Sequence, residues 1–394
     1  MSKKEVVVLS GVRTAVGDFG GSLKGFSPSD MGTAVLEEAI KRSTVDTDLV
    51  GHCVFGNVIH TEPSDMYLSR VVALRAGLSE KTPAMTVNRL CGSGLQAIIT
   101  AAQQIQLGDC TASVAGGAES MSRAPYQATG ARFGNRMGDS TMIDMMLAAL
   151  HCPIEKVHMG VTAEAIATKW NISREAQDTL AVEGHNRAQK AIEEGRFKEQ
   201  ILPMEIKSRK GVTVFDTDEH VRFNCAPGSL DSLRPAFKKD GSVTAGNASG
   251  LNDAAAAVVL MEAEAAKQQG LNPMARLVDY SFSGVEPLYM GIGPVPAVRQ
   301  LLAANDLSVA DIDVWEVNEA FAAQALAVAQ DLGIPAEKLN PNGSGISLGH
   351  PIGATGAIIT VKALYELQRT QSRYAVVSMC IGGGQGIAAL FERI

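Results

Sequence analysis

Apolar runs along the chain alternate with segments of helical period. Residues 5–9 (Glu-Val-Val-Val-Leu) are continuously apolar after the first, which predicts a strand buried on both faces. The glycines between Gly11 and Gly25 predict a loop, and Ser29 or Asp30 then caps a helix carrying Met31, Val35 and Ile40. A strand is expected over 53–59, a helix over 67–76 and a strand over 112–115 ending at Gly116-Gly117. Between the last two, residues 95–107 are apolar almost all round, so that helix needs cover on every side. Farther on, strands are expected at 276–282, 313–317 and 374–379, and helices at 295–303 and 357–367. The alanine-rich stretch 254–261 suits a strand or a helix. Such alternation predicts an α/β fold, its sheet covered on both faces.

From about 121 to 234 the pattern changes to charged helices, notably 173–191 capped by Ser173, among loops and short strands. The expected division is an N-terminal α/β half over 1–120, completed by about 245–270, a loop, lid and oligomerisation domain over 121–244, and a C-terminal half over 271–394. Gly94…Ala97-Ile98-Ile99-Thr100 echoes Gly356-Ala357-Ile358-Ile359-Thr360, each followed by a strand and a Gly-Gly turn. The echo favours a duplicated α/β core with two apolar helices between two sheets.

A net charge of -7 argues against a general nucleic-acid or anionic-membrane binder. No 18-residue apolar segment or signal peptide is recognised, so no membrane partner is expected. The six cysteines are scattered without a C-x-x-C, which points away from a disulfide scaffold or zinc ribbon and toward a reducing cytoplasm.

Four reactive groups sit at strand or loop ends: Cys91, Asn318, His350 and Cys380, all but Asn318 with glycine close by. They show no local ligand pair, so no metal site is expected. A Cys-His-Asn set suits nucleophilic catalysis, with Cys380 left as a second acid or base. Cys91 opens the apolar helix, whose N–H groups and dipole are expected to favour its thiolate. Such a set also occurs in papain-like hydrolases, although glycine-rich strand ends throughout a duplicated α/β chain fit those poorly. Lys207, Arg209 and Lys210 form a basic cluster, solvated or suited to phosphates.

The segments NRLCGSGLQA, GGAESMSRAPY, HMGVTAE, TAGNASGLNDAAAA, NEAFAAQA, GHPIGATGA and CIGGGQG resemble the signature blocks of the thiolase family, in order and across essentially the whole chain. Leu90-Cys91-Gly92 is most similar to the biosynthetic, polyhydroxyalkanoate-type β-ketothiolase branch. The resemblance implies a five-layered αβαβα core with an inserted loop domain, a homotetramer built as a dimer of dimers, and coenzyme A thioesters as substrates with no permanently bound cofactor. It implies that Cys91 carries the acyl group, His350 activates it and Cys380 moves the α-carbon proton. Asn318 and a water, with His350, would bind the thioester oxygen, and the N–H groups of Cys91 and Gly382 the acyl-enzyme oxygen. Matching positions place His158, Met159, Arg222, Ser229, Phe237, Ala245, Ser249, Leu251 and Met290 along CoA. A decarboxylating condensing enzyme and a non-catalytic acyl-CoA carrier are the alternatives; the second thiol and the Asn-Glu-Ala-Phe block favour a thiolase. Gly343-Ser344-Gly345-Ile346-Ser347 departs from the family's usual Gly-Gly-Ala-Ile-Ala and is expected to bear on the acyl pocket.

Overall fold

Alternate side chains of single strands enter two different hydrophobic cores in the computed structural model, which describes residues 3–209 and 211–394. In β1 (Val6–Thr14), Val6 and Val8 face a central core while Val7 and Leu9 face an outer one. The unbroken apolar run is therefore a two-sided strand. β2 (Val50–Gly56), β3 (Ala84–Val87) and β4 (Ala112–Ser120) follow, then β5 (Asn252–Glu262) and β6 (Ala275–Gly284). β7 (Val314–Val317), β8 (Tyr374–Ile381) and β9 (Gln385–Arg393) complete the main strands. Their order is β7-β8-β9-β6-β1-β5-β4-β2-β3.

Two helices, α1 (Ser93–Leu107) and α2 (Thr355–Thr370), fill the central core against the inner faces of both sets of strands. The helix Pro28–Ser43 lies in one outer core, and Pro294–Ala304 with Ala322–Leu332 in the other. Five layers result. Gly94 and Gly356 lie where α1 and α2 meet: a Cβ on Gly94 would fall 2.6 Å from the Ala357 nitrogen, and one on Gly356 2.3 Å from the Leu95 nitrogen. The repeated glycine thus marks a helix contact too close for any side chain.

Several expectations are corrected. Residues 11–14 are strand, because they continue the ladder with β5 through Arg13 and Ala256. Ser27, not Ser29 or Asp30, caps the first helix, in a capping box with Asp30 and with Pro28 at its start. Residues 254–261 are strand. The two expected sheets are one hydrogen-bonded sheet, joined where Val6–Val8 of β1 pair with Ala275–Leu277 of β6. The final strand β9 was not anticipated.

Among the described residues, the segment between β4 and β5 carries two long helices, Met159–Lys169 and Arg174–Glu193, the short helix Met145–Ala149 and three small hairpins. Lys207 and Arg209 are exposed at one hairpin, apart from the site below, and Lys210 lies outside the described residues. Arg13, fully buried in β1, clamps this segment to the core: it donates to both Asp218 carboxylate oxygens at 2.7 and 2.9 Å and to Gln200 Oε1 at 2.7 Å. Removing one partner leaves the other as an uncompensated buried charge. Arg13→Leu is therefore expected to lower unfolding stability by about 3–5 kcal/mol. Urea denaturation checks this; a loss within the ordinary surface range, about 0.5 kcal/mol, would mean that the pair holds nothing.

Candidate functional site

Cys91 stands between the end of β3 and the first turn of α1. Ser93 builds that turn: its Oγ accepts from the Arg89 N–H at 2.9 Å and donates to the Leu90 carbonyl at 2.6 Å. Leu90 sits in the left-handed region at φ 46°, an uncommon conformation for a leucine, immediately before the thiol. His350 follows Gly349 just before α2, and Cys380 lies near the end of β8. All three reach one cavity of about 390 Å³ with mainly apolar walls. A larger open depression, about 720 Å³, lies beside the helix Arg174–Glu193, but its walls hold no cysteine or histidine.

His350 is buried, and burial pushes its imidazole down to about 4. Its Nδ1 lies 2.7 Å from Thr355 Oγ1, whose own proton goes to the Pro351 carbonyl at 2.9 Å. The hydroxyl can then only accept from the ring, so Nδ1 carries the hydrogen and Nε2 keeps a free lone pair. Asn318 Nδ2 is 3.5 Å from both ring nitrogens, at the limit of a directed bond, and its Oδ1 has no partner among the described residues. Asn318 touches the ring but is not part of the cavity wall.

Cys91 is partly open to the cavity, yet burial pushes its thiol up to about 11. The N–H groups of Gly382 and of Cys91 itself pull the other way and are outweighed. The expected thiolate at the helix N-terminus is thus corrected for the free protein: desolvation exceeds the local dipoles. Cys380 is pushed up further, by burial and then by the neighbouring Cys91. Two neutral thiols and a neutral imidazole share the cavity.

His158, Met159, Phe237, Ala245, Ser249, Leu251, Met290 and Gly382 also line it. His158 stacks on Phe237 with ring centroids 4.7 Å apart and accepts the Gly160 N–H at 3.0 Å, capping the helix behind it. Arg222 and Ser229 are exposed and lie outside the wall. Sequence reasoning missed Leu90, Leu147, Leu150, Phe321 and Ile352 in the wall. Phe321 and Ile352 lie inside blocks already singled out, whereas Leu147 and Leu150 carry no signal beyond being apolar. The Ser344 and Ser347 hydroxyls are turned away from the cavity: Ser344 bonds the Val317 carbonyl, and the pair caps the short helix Gly345–Leu348.

The thiolase N-terminal domain family model matches residues 6–264 and the thiolase C-terminal domain model residues 271–393. The chain belongs to the thiolase family. It is 62% identical over 392 residues to beta-ketothiolase BktB of Cupriavidus necator, covering 99% of this chain and 100% of that protein. Among solved thiolase structures, the Bacillus anthracis acetyl-CoA acetyltransferase superposes with a TM-score of 0.97 at 46% identity, covering 100% of both chains. Human mitochondrial 3-ketoacyl-CoA thiolase in complex with CoA gives 0.96 at 41% identity, covering 99% of this chain and 98% of that one. Thiolases are enzymes that act through a covalent cysteine.

A thiol at about 11 ionises only as pH rises toward that value. The alkylation rate of Cys91 by iodoacetamide is therefore expected to climb about tenfold per pH unit from neutrality, since the thiolate is the nucleophile. Stopped samples mapped by mass spectrometry check this; a plateau at neutral pH would show that the free enzyme already holds a thiolate.

Proposed function

We propose that this enzyme is a β-ketothiolase (acetyl-CoA C-acyltransferase) joining acetyl-CoA reversibly to a short acyl-CoA. The supporting observation is the meeting of Cys91, Cys380 and His350 in one mainly apolar cavity, with the Gly382 and Cys91 N–H groups beside the Cys91 sulfur.

In the cleavage direction the Cys91 proton passes to His350 Nε2, and the thiolate attacks the 3-keto carbon. The N–H groups of Cys91 and Gly382 take the resulting oxyanion, each worth about 3–4 kcal/mol when well placed. The carbon–carbon bond breaks, and the departing acetyl-CoA carbanion takes the Cys380 proton. His350 and a water held by Asn318 steady the enolate oxygen on that fragment. The incoming CoA thiol returns a proton to Cys380 and attacks the acyl-cysteine. Cys91 leaves as thiolate and recovers its proton from His350. Condensation is the reverse. A strongly raised Cys380 thiol suits this, because a weakly acidic α-carbon needs a strong base.

CoA enters past His158, Phe237, Ser249 and Leu251, with Met159, Ala245 and Met290 along the pantetheine path and Arg222 and Ser229 outside toward the nucleotide. No permanently bound cofactor is required. Free cysteines throughout suit the reducing cytoplasm; among the described residues no helix is long and apolar enough to cross a membrane.

Two separate apolar surfaces support a dimer of dimers. One surrounds β3, the last strand of the sheet, with Met66, Tyr67 and Met85 exposed. The other follows the hairpin of Tyr126–Ala128 and Met142–Asp144, where Phe133 and Met137 are 89% and 98% exposed. Light scattering should find four chains, and Phe133→Ser with Met137→Ser should give dimers; a wild-type monomer sinks the assembly.

Cys380→Ala should still form acetyl-Cys91 from acetyl-CoA by mass spectrometry, but lose condensation by about 10²–10⁴-fold. Exchange of the acetyl-CoA methyl protons with deuterium oxide should vanish with it. Full exchange in that variant would give the base to another residue. Propionyl-CoA should condense with acetyl-CoA at a rate comparable to acetoacetyl-CoA formation; a rate about a hundredfold lower, roughly 2.7 kcal/mol of barrier, would restrict the pocket to acetyl groups.

A further inference from the structure

His350 is held through its backbone as well as its ring. Its N–H donates to Asn252 Oδ1 at 2.9 Å, and Asn252 is fully buried at the start of β5. The same side chain packs against Gly349, whose φ is +103° and whose missing Cβ would fall 2.5 Å from Asn252 Cγ. Only glycine leaves room for it. Asn252 Nδ2 donates to the Gly17 carbonyl at 3.1 Å and to Asp18 Oδ1 at 3.3 Å, and these acceptors force the amide oxygen toward His350. Asp18 in turn meets His220 Nδ1 at 2.5 Å, and its backbone N–H is tied to Glu219 at 2.9 Å.

The far end of this chain touches the cavity again. A Cβ on Gly250 would fall 2.4 Å from His220 Cε1, so the imidazole lies directly on the backbone of a wall residue. The path His220–Asp18–Asn252–His350 therefore begins behind the Ser249–Leu251 wall and ends on the peptide N–H of the histidine. None of its first three members reaches the reacting atoms.

We infer that Asp18 and His220 are positioning residues: through Asn252 they set where His350 presents Nε2 to Cys91. This rests on His350 being the base proposed above. A histidine displaced by a fraction of an ångström still binds substrate but transfers its proton poorly, so kcat suffers while KM is spared.

Asp18→Ala, His220→Ala and the double variant, as intact enzyme, test this by steady-state thiolysis of acetoacetyl-CoA with CoA varied. Each single variant should lose about tenfold in kcat, within the range that small misplacements cost, while KM for CoA changes less than about twofold. The double variant should lose no more than either single one, because they act as a unit. His220→Gln, which can still donate to Asp18, should recover most of kcat. Thermal melts of all variants separate this from loss of fold. Unchanged kcat, a rise confined to KM, or single-variant losses that multiply in the double would each overturn the proposal. His350→Ala is run alongside: if it still acetylates and turns over, the reading of His350 has failed, whereas its inactivity beside silent Asp18 and His220 variants rejects only the positioning role.

Discussion

The contact of α1 with α2 at Gly94 and Gly356 is the constraint on which the site depends. Each glycine lies in the first turn of its helix, so the contact brings two helix starts together rather than two helix middles. Cys91 precedes one start and His350 the other. The proposed nucleophile and base, some 260 residues apart in sequence, become neighbours through backbone packing, before any side-chain chemistry between them. The cover those helices need comes from strands on both sides, which is why the sheet is two-faced.

Deep placement of the helix starts has an electrostatic cost. Backbone N–H groups at the thiol and the apolar walls act in opposite directions, and in the free enzyme the walls prevail. Neither Cys91 nor His350 is charged at rest. In the proposed reaction charge is created while substrate is in place, when the N–H groups can stabilise an oxyanion. Thr355 matters here because it selects the ring tautomer in advance.

What was legible in the sequence is what local chemistry dictates. Apolar runs reveal strands, an all-round apolar helix reveals a central layer, and the repeated glycine in the echo marks the helix contact itself. The reactive residues beside glycine were visible for the same reason: tight turns at strand ends leave a composition signature. Long-range facts were not. Residues 11–14 read as a loop because Gly11 is a poor strand former and Arg13 breaks the apolar run; pairing with β5 and the buried Asp218 override that reading. Ser344 and Ser347 look chemically relevant beside His350, yet loop geometry turns them onto backbone. Leu147 and Leu150 join the cavity only because the excursion folds back over it. The lowered Cys91 pKa failed for one reason: a helix start is visible in sequence, while the depth at which it is buried is not.

β1 also sets a timetable for synthesis. It lies between β5 and β6, so along Val6–Val8 the first strand made is hydrogen-bonded on both edges to strands made after the whole excursion. At roughly 5–20 residues per second, β1 waits on the order of 12–50 s for its partners. During that interval the apolar stretch Val6–Leu9 has two open edges, and the N-terminal half of the core lacks β5. The two halves, though alike, are thus tied to each other through β1, which pairs with β5 of one and β6 of the other.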